Sequence, residues 1–270
     1  MANSRFGLRT RLGQIQAITQ GARAVDADAQ LFFDATGITD ETIKNSIQQL
    51  VVDLKGYGIW TKMKAIYPFV GGTASTHKWN LKDARDLNAA FRLVFSGGWT
   101  HSSTGALPNG TTGYADTFLI PSTELAQNNT HISAYSRTNI ASTTGALIGN
   151  NDDAQPQLNI FPTFASQLYI RVNSASTSQI ASNTSSIGLF QGNRVSSTET
   201  RNFQNTTLRT QSANSTGLST KSVLFSLPGT TNYGSFEIAF GAIGQGLSDT
   251  EAANLYTAVQ AFQTTLGRQV

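Results

Sequence analysis

The sequence predicts an all-β fold, an antiparallel jelly-roll sandwich with a helical N-terminal arm and collar and a C-terminal helix. Three observations carry this. From Lys62 onward, short apolar segments recur between Gly, Asn and Pro turns, the rhythm of a sandwich or barrel. Residues 101–250 place Ser, Thr or Asn at 58 of 150 positions, while charged residues make up only 13% of the chain. That composition suits strands joined by hydrogen-bonding turns and argues against a helical enzyme core. The strong helical signals, finally, sit at the two ends. A chain of 270 residues can bury a sizeable core as one large domain. Phe, Tyr, Leu and Ile recur through the polar tract often enough to build it, which favours order over disorder.

Residues 1–25 stand apart. They carry Arg5, Arg9, Arg11 and Arg23 and no acid before Asp26, which reads as a basic arm that docks on a partner. Residues 26–60 read as a helical collar. Val25–Ala35 forms a short helix with Gly37 at its stop position. A second helix starts at Thr39 or Asp40, with Asp40 and Glu41 near its positive end. Ile43, Ile47, Leu50, Val51 and Leu54 then fall at helical spacing, and Gly56 and Gly58 end it. Such a stripe packs on the adjoining domain.

Residues 61–270 read as the jelly roll. Candidate strands are Lys62–Phe69, Thr76–Leu81, Ala90–Phe95, Gly113–Leu119, His131–Arg137 and Gly145–Gly149. Further on come Leu158–Phe161, Gln167–Val172, Ile187–Gln191, Asn193–Ser197, Asn202–Thr210, Ser222–Leu227 and Ser235–Ala242. Leu168, Ile170 and Val172 alternate with Tyr169 and Arg171, giving one buried and one exposed face. Pro108-Asn109-Gly110 and Gln191-Gly192-Asn193 read as turns. There is no internal repeat. The closing helix, 248–266, has Ser248 as N-cap and Glu251 three residues on, a capping box. Leu247 can staple against Ala252. Leu255, Val259, Phe262 and Leu266 share its apolar face, and Gly267 stops it.

One run is distinctive: Ala65-Ile-Tyr-Pro-Phe-Val-Gly-Gly-Thr through Tyr114-Ala-Asp-Thr, passing Trp79-Asn-Leu-Lys, Ala90-Phe-Arg-Leu and Phe95-Ser-Gly-Gly-Trp-Thr-His. Across residues 26–266 the chain resembles structural proteins of tailed bacteriophages built on a concanavalin-like (laminin-G-like) jelly roll. The Leu247-Ser248-x-x-Glu251 turn and the Leu255-Tyr256 pair resemble the helix after the last strand of laminin-G-like domains. The resemblance implies a non-enzymatic virion structural protein, whether a capsid decoration, a head fibre or a tail-associated component. The alternative it implies is a lectin-like receptor-recognition module of a tail fibre or spike that binds host glycan.

The residues exclude several chemistries. With no cysteine, disulfides and thiolate metal sites are absent. No apolar run is long enough to span a bilayer, and Leu12–Thr19 is too polar for a signal peptide; manufacture in a host cytoplasm and use by assembly in the virion is expected. Histidine occurs three times, at His77, His101 and His131, without a Gly-x-Ser-x-Gly elbow, so no catalytic triad is expected. Concanavalin-like glucanases carry Glu-x-Asp-x-x-Glu on one strand, and this chain has no such run. Hydrolysis by paired carboxylates is therefore not expected. Asp116 reads as a buried or turn-bonding residue. Asn150-Asn151-Asp152-Asp153 offers oxygen ligands for calcium but reads first as a turn. His77 and His101 meet if their strands are neighbours.

Neither cofactor nor metal is expected, and neither membrane nor nucleic acid as partner. The net charge of +3 is small, and the basic Lys62–Lys64 and Lys78–Arg92 region is interrupted by acids. The expected partners are other virion proteins through the arm, further copies of this chain, and a cell-surface glycan. Candidate glycan contacts are Trp79, Trp99 and Tyr114, exposed aromatics being the platforms that sugars need, although in a sandwich most aromatics fill the core.

Overall fold

The computed structural model describes residues 24–141, 143, 145–150, 156–175, 180–227 and 233–270. In chain order they form helices α1 (Ala27–Thr36) and α2 (Glu41–Gly56), strand β1 (Met63–Tyr67), the short helix α3 (Ala74–His77), then β2 (Val94–Ser96), β3 (Trp99–Ser102), β4 (Gly105–Pro108) and β5 (Tyr114–Asp116). A short helix α4 (Pro121–Glu124) precedes β6 (Thr130–Ser136), β7 (Ile148–Gly149), β8 (Gln157–Phe164), β9 (Gln167–Ser174) and β10 (Ala181–Ser182). Then come β11 (Gly188–Arg194), β12 (Glu199–Gln204), β13 (Thr207–Ser212), β14 (Leu224–Phe225), β15 (Ile238–Gly244) and helix α5 (Asp249–Thr265). The strands build two antiparallel sheets. The first runs β13-β12-β11-β6-β15-β4-β3 with β1 against β15; the second runs β10-β9-β8-β7-β14-β5-β2. This is the expected jelly-roll sandwich.

Strand alternation sorts the core into two clusters. Ile132, Ala134, Phe190, Ile238 and Ile243 of the first sheet meet Leu158, Ile160, Leu168, Ile170, Val172 and Phe225 of the second. The opposite side of the first sheet, with Tyr135, Leu189, Phe203 and Phe240, is covered by α1, α2 and α5 through Phe32, Leu50, Leu54, Leu255 and Phe262. The order of layers is helices, first sheet, second sheet. The segment read as a collar thus shares one cluster with the C-terminal helix and the sheet.

Local chemistry starts and stops the helices, as anticipated for α2 and α5, while α1 begins two residues later than the expected Val25 because Asp26 serves as its cap. Asp26 and Asp40 cap α1 and α2, and Gly37 ends α1 in the left-handed region at φ 65°. Ser248 and Glu251 close the capping box of α5. Behind it, Arg268 is 1% exposed and donates to the carbonyls of Pro68, Phe69 and Ala239, tying the chain end to the sheet.

Three expectations are corrected. Thr76–Leu81 is no strand: Thr73 and Thr76 make a reciprocal capping box, and the chain turns through α3 instead. Ile187–Gln191 and Asn193–Ser197 are not two strands, because β11 runs unbroken through Gly192. A Cβ there would lie 2.5 Å from Ile170 Cγ2 and 2.8 Å from Val172 Cγ2, so this glycine serves sheet contact rather than a turn. Asn202–Thr210 is not one strand but the β12–β13 hairpin. The hairpin of β3 and β4, which Thr100 and His101 help to form, has weak alternation and was not anticipated.

Candidate functional site

Among the described residues the long helices all lie on the first sheet, and none of them covers the outer face of the second sheet. On that face the β8–β9 hairpin pairs Asn159 with Arg171 and Phe161 with Tyr169. Their neighbours Leu158, Ile160, Leu168, Ile170 and Val172 point into the core, so alternation sends these four side chains outward. Phe164 joins them through an irregularity. In a regular strand, residues three apart face opposite sides, but the register shifts between Phe161 and Phe164. This bulge turns both rings to one side, and their centroids lie 5.5 Å apart, edge to face.

Phe161, Phe164, Tyr169 and Arg171 line a cleft of about 320 Å³. Phe164 stands 5.6 Å from Tyr169, edge to face, and is 37% exposed. The Arg171 guanidinium lies 5.8 Å from the Tyr169 ring centroid, and its Nη1 donates to Asn159 Oδ1 at 3.5 Å. Burial pushes the Arg171 pKa down, offset by Tyr169, yet an arginine keeps its charge. The hairpin turns on Ala165 and Ser166, at φ 49° and 62°. Two consecutive left-handed residues are the type I′ geometry that Asn-Gly fills without strain. Here strain sits beside the cleft, where functional sites often hold it.

The aromatics singled out in the sequence lie elsewhere. Trp99 Nε1 donates to the carbonyls of Ser96 and Tyr114, at 3.1 and 3.2 Å, and its ring meets Phe95 and His101. Tyr114 stacks on Tyr233 at 6.4 Å. Trp79 is separate, packed against the helix-side cluster with Lys78 Nζ 4.7 Å from its ring. The signal for the cleft was present in the outward alternation of Tyr169 and Arg171. The bulge that adds Phe164 has no sequence signature of its own. Arg5, Arg9, Arg11 and Arg23 lie outside the described residues, as do Asn151, Asp152 and Asp153 of the run read first as a turn. Asn150 is buried and accepts from the Leu158 N–H at 3.1 Å.

The histidines form two closed arrangements. His77 and His101 do meet, Nδ1 to Nδ1 at 2.9 Å. His77 Nε2 accepts from the Gly72 N–H, which assigns the shared proton to His77 Nδ1. Burial pushes the pKa of His77 down to about 3, helped by His101 and Arg268. Among the described residues no group of three or more His, Asp or Glu is placed to hold a metal. The second arrangement has the order of a nucleophile, a base and an orienting group. Ser133 Oγ lies 2.9 Å from His131 Nε2, and His131 Nδ1 lies 2.7 Å from Asn193 Oδ1. Asn193 Oδ1 also accepts from the Leu247 N–H, so His131 carries its proton on Nδ1. All three residues are 0% exposed; the trio pins the start of α5 to the sheet and offers no surface to a substrate.

The described acids are occupied elsewhere. Asp116 Oδ1 accepts from the Phe118 N–H at 2.7 Å, the turn-bonding role expected of it. Glu237 binds Arg137 and Thr104, and Asp249 pairs with Arg201. In the basic region Lys62 pairs with Glu251, Lys64 with Glu124, and Lys78 and Arg92 with Asp86.

No protein-family model matches the sequence, and no curated protein matches it. Solved structures do match in fold. The sialidase of Trypanosoma rangeli, solved as a covalent intermediate with 2,3-difluorosialic acid, superposes with a TM-score of 0.55 at 12% identity over 86% of this chain. This chain spans only 39% of that enzyme's length. Domain 4 of an extracellular GH43 arabinanase from Geobacillus stearothermophilus, bound to arabinotriose, gives a TM-score of 0.52 at 11% identity, covering 72% of this chain and 98% of that domain. The binding domain of botulinum neurotoxin DC, in complex with rat synaptotagmin II, gives 0.50 at 12% identity, covering 75% and 53%. At such identities the likeness is one of fold, and the fold that this chain shares with them is the antiparallel β-sandwich.

Proposed function

We propose that this chain is a non-enzymatic virion structural protein of a tailed bacteriophage whose exposed sheet face binds carbohydrate on the host surface. The observation that carries the binding half is the cleft of Phe161, Phe164, Tyr169 and Arg171 on the face that the helices leave open. Aromatic rings flanked by a hydrogen-bonding cation are what a sugar needs, a flat apolar face and polar anchors. A fold also found in an arabinotriose-bound domain supports the same reading. No carboxylate lines the cleft among the described residues, which supports binding without hydrolysis, since glycoside cleavage uses two acids astride the bond. The virion half rests on the resemblance of residues 26–266 to tailed-phage structural proteins, with the basic arm as the docking element and repeated copies giving weak sites avidity.

The test is a glycan array probed with purified protein and with a Phe161→Ala/Tyr169→Ala variant. Binding to a bacterial surface glycan that the variant loses, with no reducing sugar released, is the expected outcome. Equal binding by both proteins would remove the cleft from the reading. Turnover lost in Asp116→Asn would overturn the non-enzymatic part, and a purely architectural role would leave both proteins without any glycan.

A further inference from the structure

Resting on the reading of residues 1–25 as a docking arm, we propose that its receptor is a second copy of this chain. The arm of one copy lies across the acidic outer face of helices α1 and α2 of its neighbour. The charges are divided to fit. Residues 1–25 hold four arginines, Arg5, Arg9, Arg11 and Arg23, and no acid. Residues 26–60 hold six acids against Lys44 and Lys55, a net charge of −4. Residues 61–270 carry thirteen bases and ten acids, so the acidic excess is confined to the segment that holds α1 and α2. Opposite excesses of this kind steer partners together and fix their register.

The helices leave part of that charge unspent. Helical spacing turns Ala27, Gln30, Leu31 and Asp34 of α1 to one side, and all four are exposed. Asp34 takes a neutral hydrogen bond from Gln30 Nε2 at 2.7 Å, and Asp53 takes one from Gln49 Nε2 at 2.7 Å. The lysines of the helices are held by other acids, Lys44 by Glu41 and Lys55 by Asp26 and Asp28. Among the described residues Asp34 and Asp53 therefore have no cation. Leu31, at 63% the most exposed large apolar side chain among the described residues, lines a cleft of about 270 Å³ with Leu81 and Ala84. The cations at that cleft are engaged within the chain, Arg85 with Asp83 and Lys82 with the Trp60 carbonyl and ring. An apolar seat beside unpaired acids matches an arm in which Phe6, Leu8 and Leu12 interleave with Arg5, Arg9 and Arg11. Fully extended, the 23 residues before Ala24 can reach about 75 Å, whereas a domain of this size has a radius of gyration of about 18 Å. The arm is thus long enough to cross to a neighbour, and exchange between copies gives the symmetric assembly that repeated display uses.

Sedimentation velocity of the full-length protein is the first test. Association at about 50 mM salt that falls away by about 1 M is expected, because salt screens exposed charges. Two full-length variants reverse the charges, Asp34→Lys/Asp53→Lys on the face and Arg5→Glu/Arg9→Glu/Arg11→Glu on the arm. Each alone should associate about tenfold or more weakly than the parent. An equimolar mixture of the two should regain association as a mixed species, since acidic arm then meets basic face and basic arm meets acidic face. Recovery on mixing is a result that misfolded variants would not give. A full-length protein that is monomeric at every salt, or association unchanged in both variants, would overturn the inference. An arm variant that associates as the parent does yet fails to join virions would also overturn it, moving the receptor to another virion protein while the docking-arm reading stands. Both variants joining virions at normal occupancy would remove the docking-arm reading itself. Should the face variant fail to fold, Asp34→Asn/Asp53→Asn, which keeps an acceptor for Gln30 and Gln49, should show the same weakening in smaller degree, and parent-like association would overturn the inference.

Discussion

His131 sits fully buried between Ser133 and Asn193, and burial pushes its pKa from 6.5 down to about 4, against a smaller upward pull from the Asn193 hydrogen bond. In the unfolded chain the same imidazole takes up its proton near pH 6.5. Between about pH 6.5 and 4 the unfolded state therefore holds more protons than the folded state, and stability falls as pH falls. Above that window the stability is whole; below it the loss from His131 is complete, at about 3 kcal/mol. His77, pushed to about 3, acts in the same direction and extends the loss to lower pH. The urea midpoint should thus drop between about pH 7 and pH 4.5. In His131→Gln the drop should be shallower, although that variant starts less stable because it breaks a buried network. A midpoint that is level across this range would mean that protons reach the imidazole in the folded state at no cost. This trio was invisible in the sequence, since Ser133 and His131 are neighbours on one face of a strand but Asn193 lies 62 positions from His131.

The β8–β9 hairpin carries the cleft and also the clearest strain at the scale of an element. Ala165 and Ser166 occupy left-handed conformations that disfavour a side chain by about 1–2 kcal/mol per residue. Glycine removes that strain but loses more chain entropy on folding, so Ser166→Gly should stabilise the protein by a net of about 0.5–1 kcal/mol, or about 1–3 °C in thermal midpoint. A lower midpoint would show that the Ser166 side chain makes a stabilising contact. The same hairpin shows what a sequence reveals and what it withholds. Leu168, Ile170 and Val172 announce the buried face, and Tyr169 and Arg171 the outer one, because period-two alternation is local. The stop of α1 and the ends of α2 and α5 were legible for the same reason: a cap is written within four residues. Gly192 was not, since a glycine for close sheet contact and a glycine for a turn are the same letter. Phe164 joined the site only through a bulge, and the candidate aromatics Trp79 and Trp99 were drawn into packing by partners that a linear reading does not place.

At the scale of the whole molecule, the question is how a sandwich is used whose described helices all cover one side. The helices bury the side of the first sheet that bears Tyr135, Leu189 and Phe240, so the open cleft faces away from them. A basic segment, residues 1–25, leads into the helical side, with Arg5, Arg9, Arg11 and Arg23 and no acid. That polarity fits the proposed role, attachment at one end and recognition at the other. Among the described residues, Asp26 makes the anchoring contacts next to that segment. The Asp26 N–H donates to Gln48 Oε1 at 2.8 Å, its carboxylate caps α1 and also pairs with Lys55 at 2.6 Å. Lys55 holds the Asp26 carboxyl below its usual range, despite the opposing pull of burial. A chain starting at Asp26 keeps all of these groups, so it should fold and melt as the full chain does. It should also retain any sugar binding of the cleft. On the virion reading it should no longer join the particle, because the arginines that dock it are gone. The experiment compares virions assembled with full-length and truncated protein, by band intensity and by imaging, alongside thermal unfolding of both purified chains. Normal occupancy by the truncated chain would move the attachment from the arm to the helical face. Loss of folding on truncation would instead make the arm part of the domain, through contacts that the helix-capping network alone does not supply.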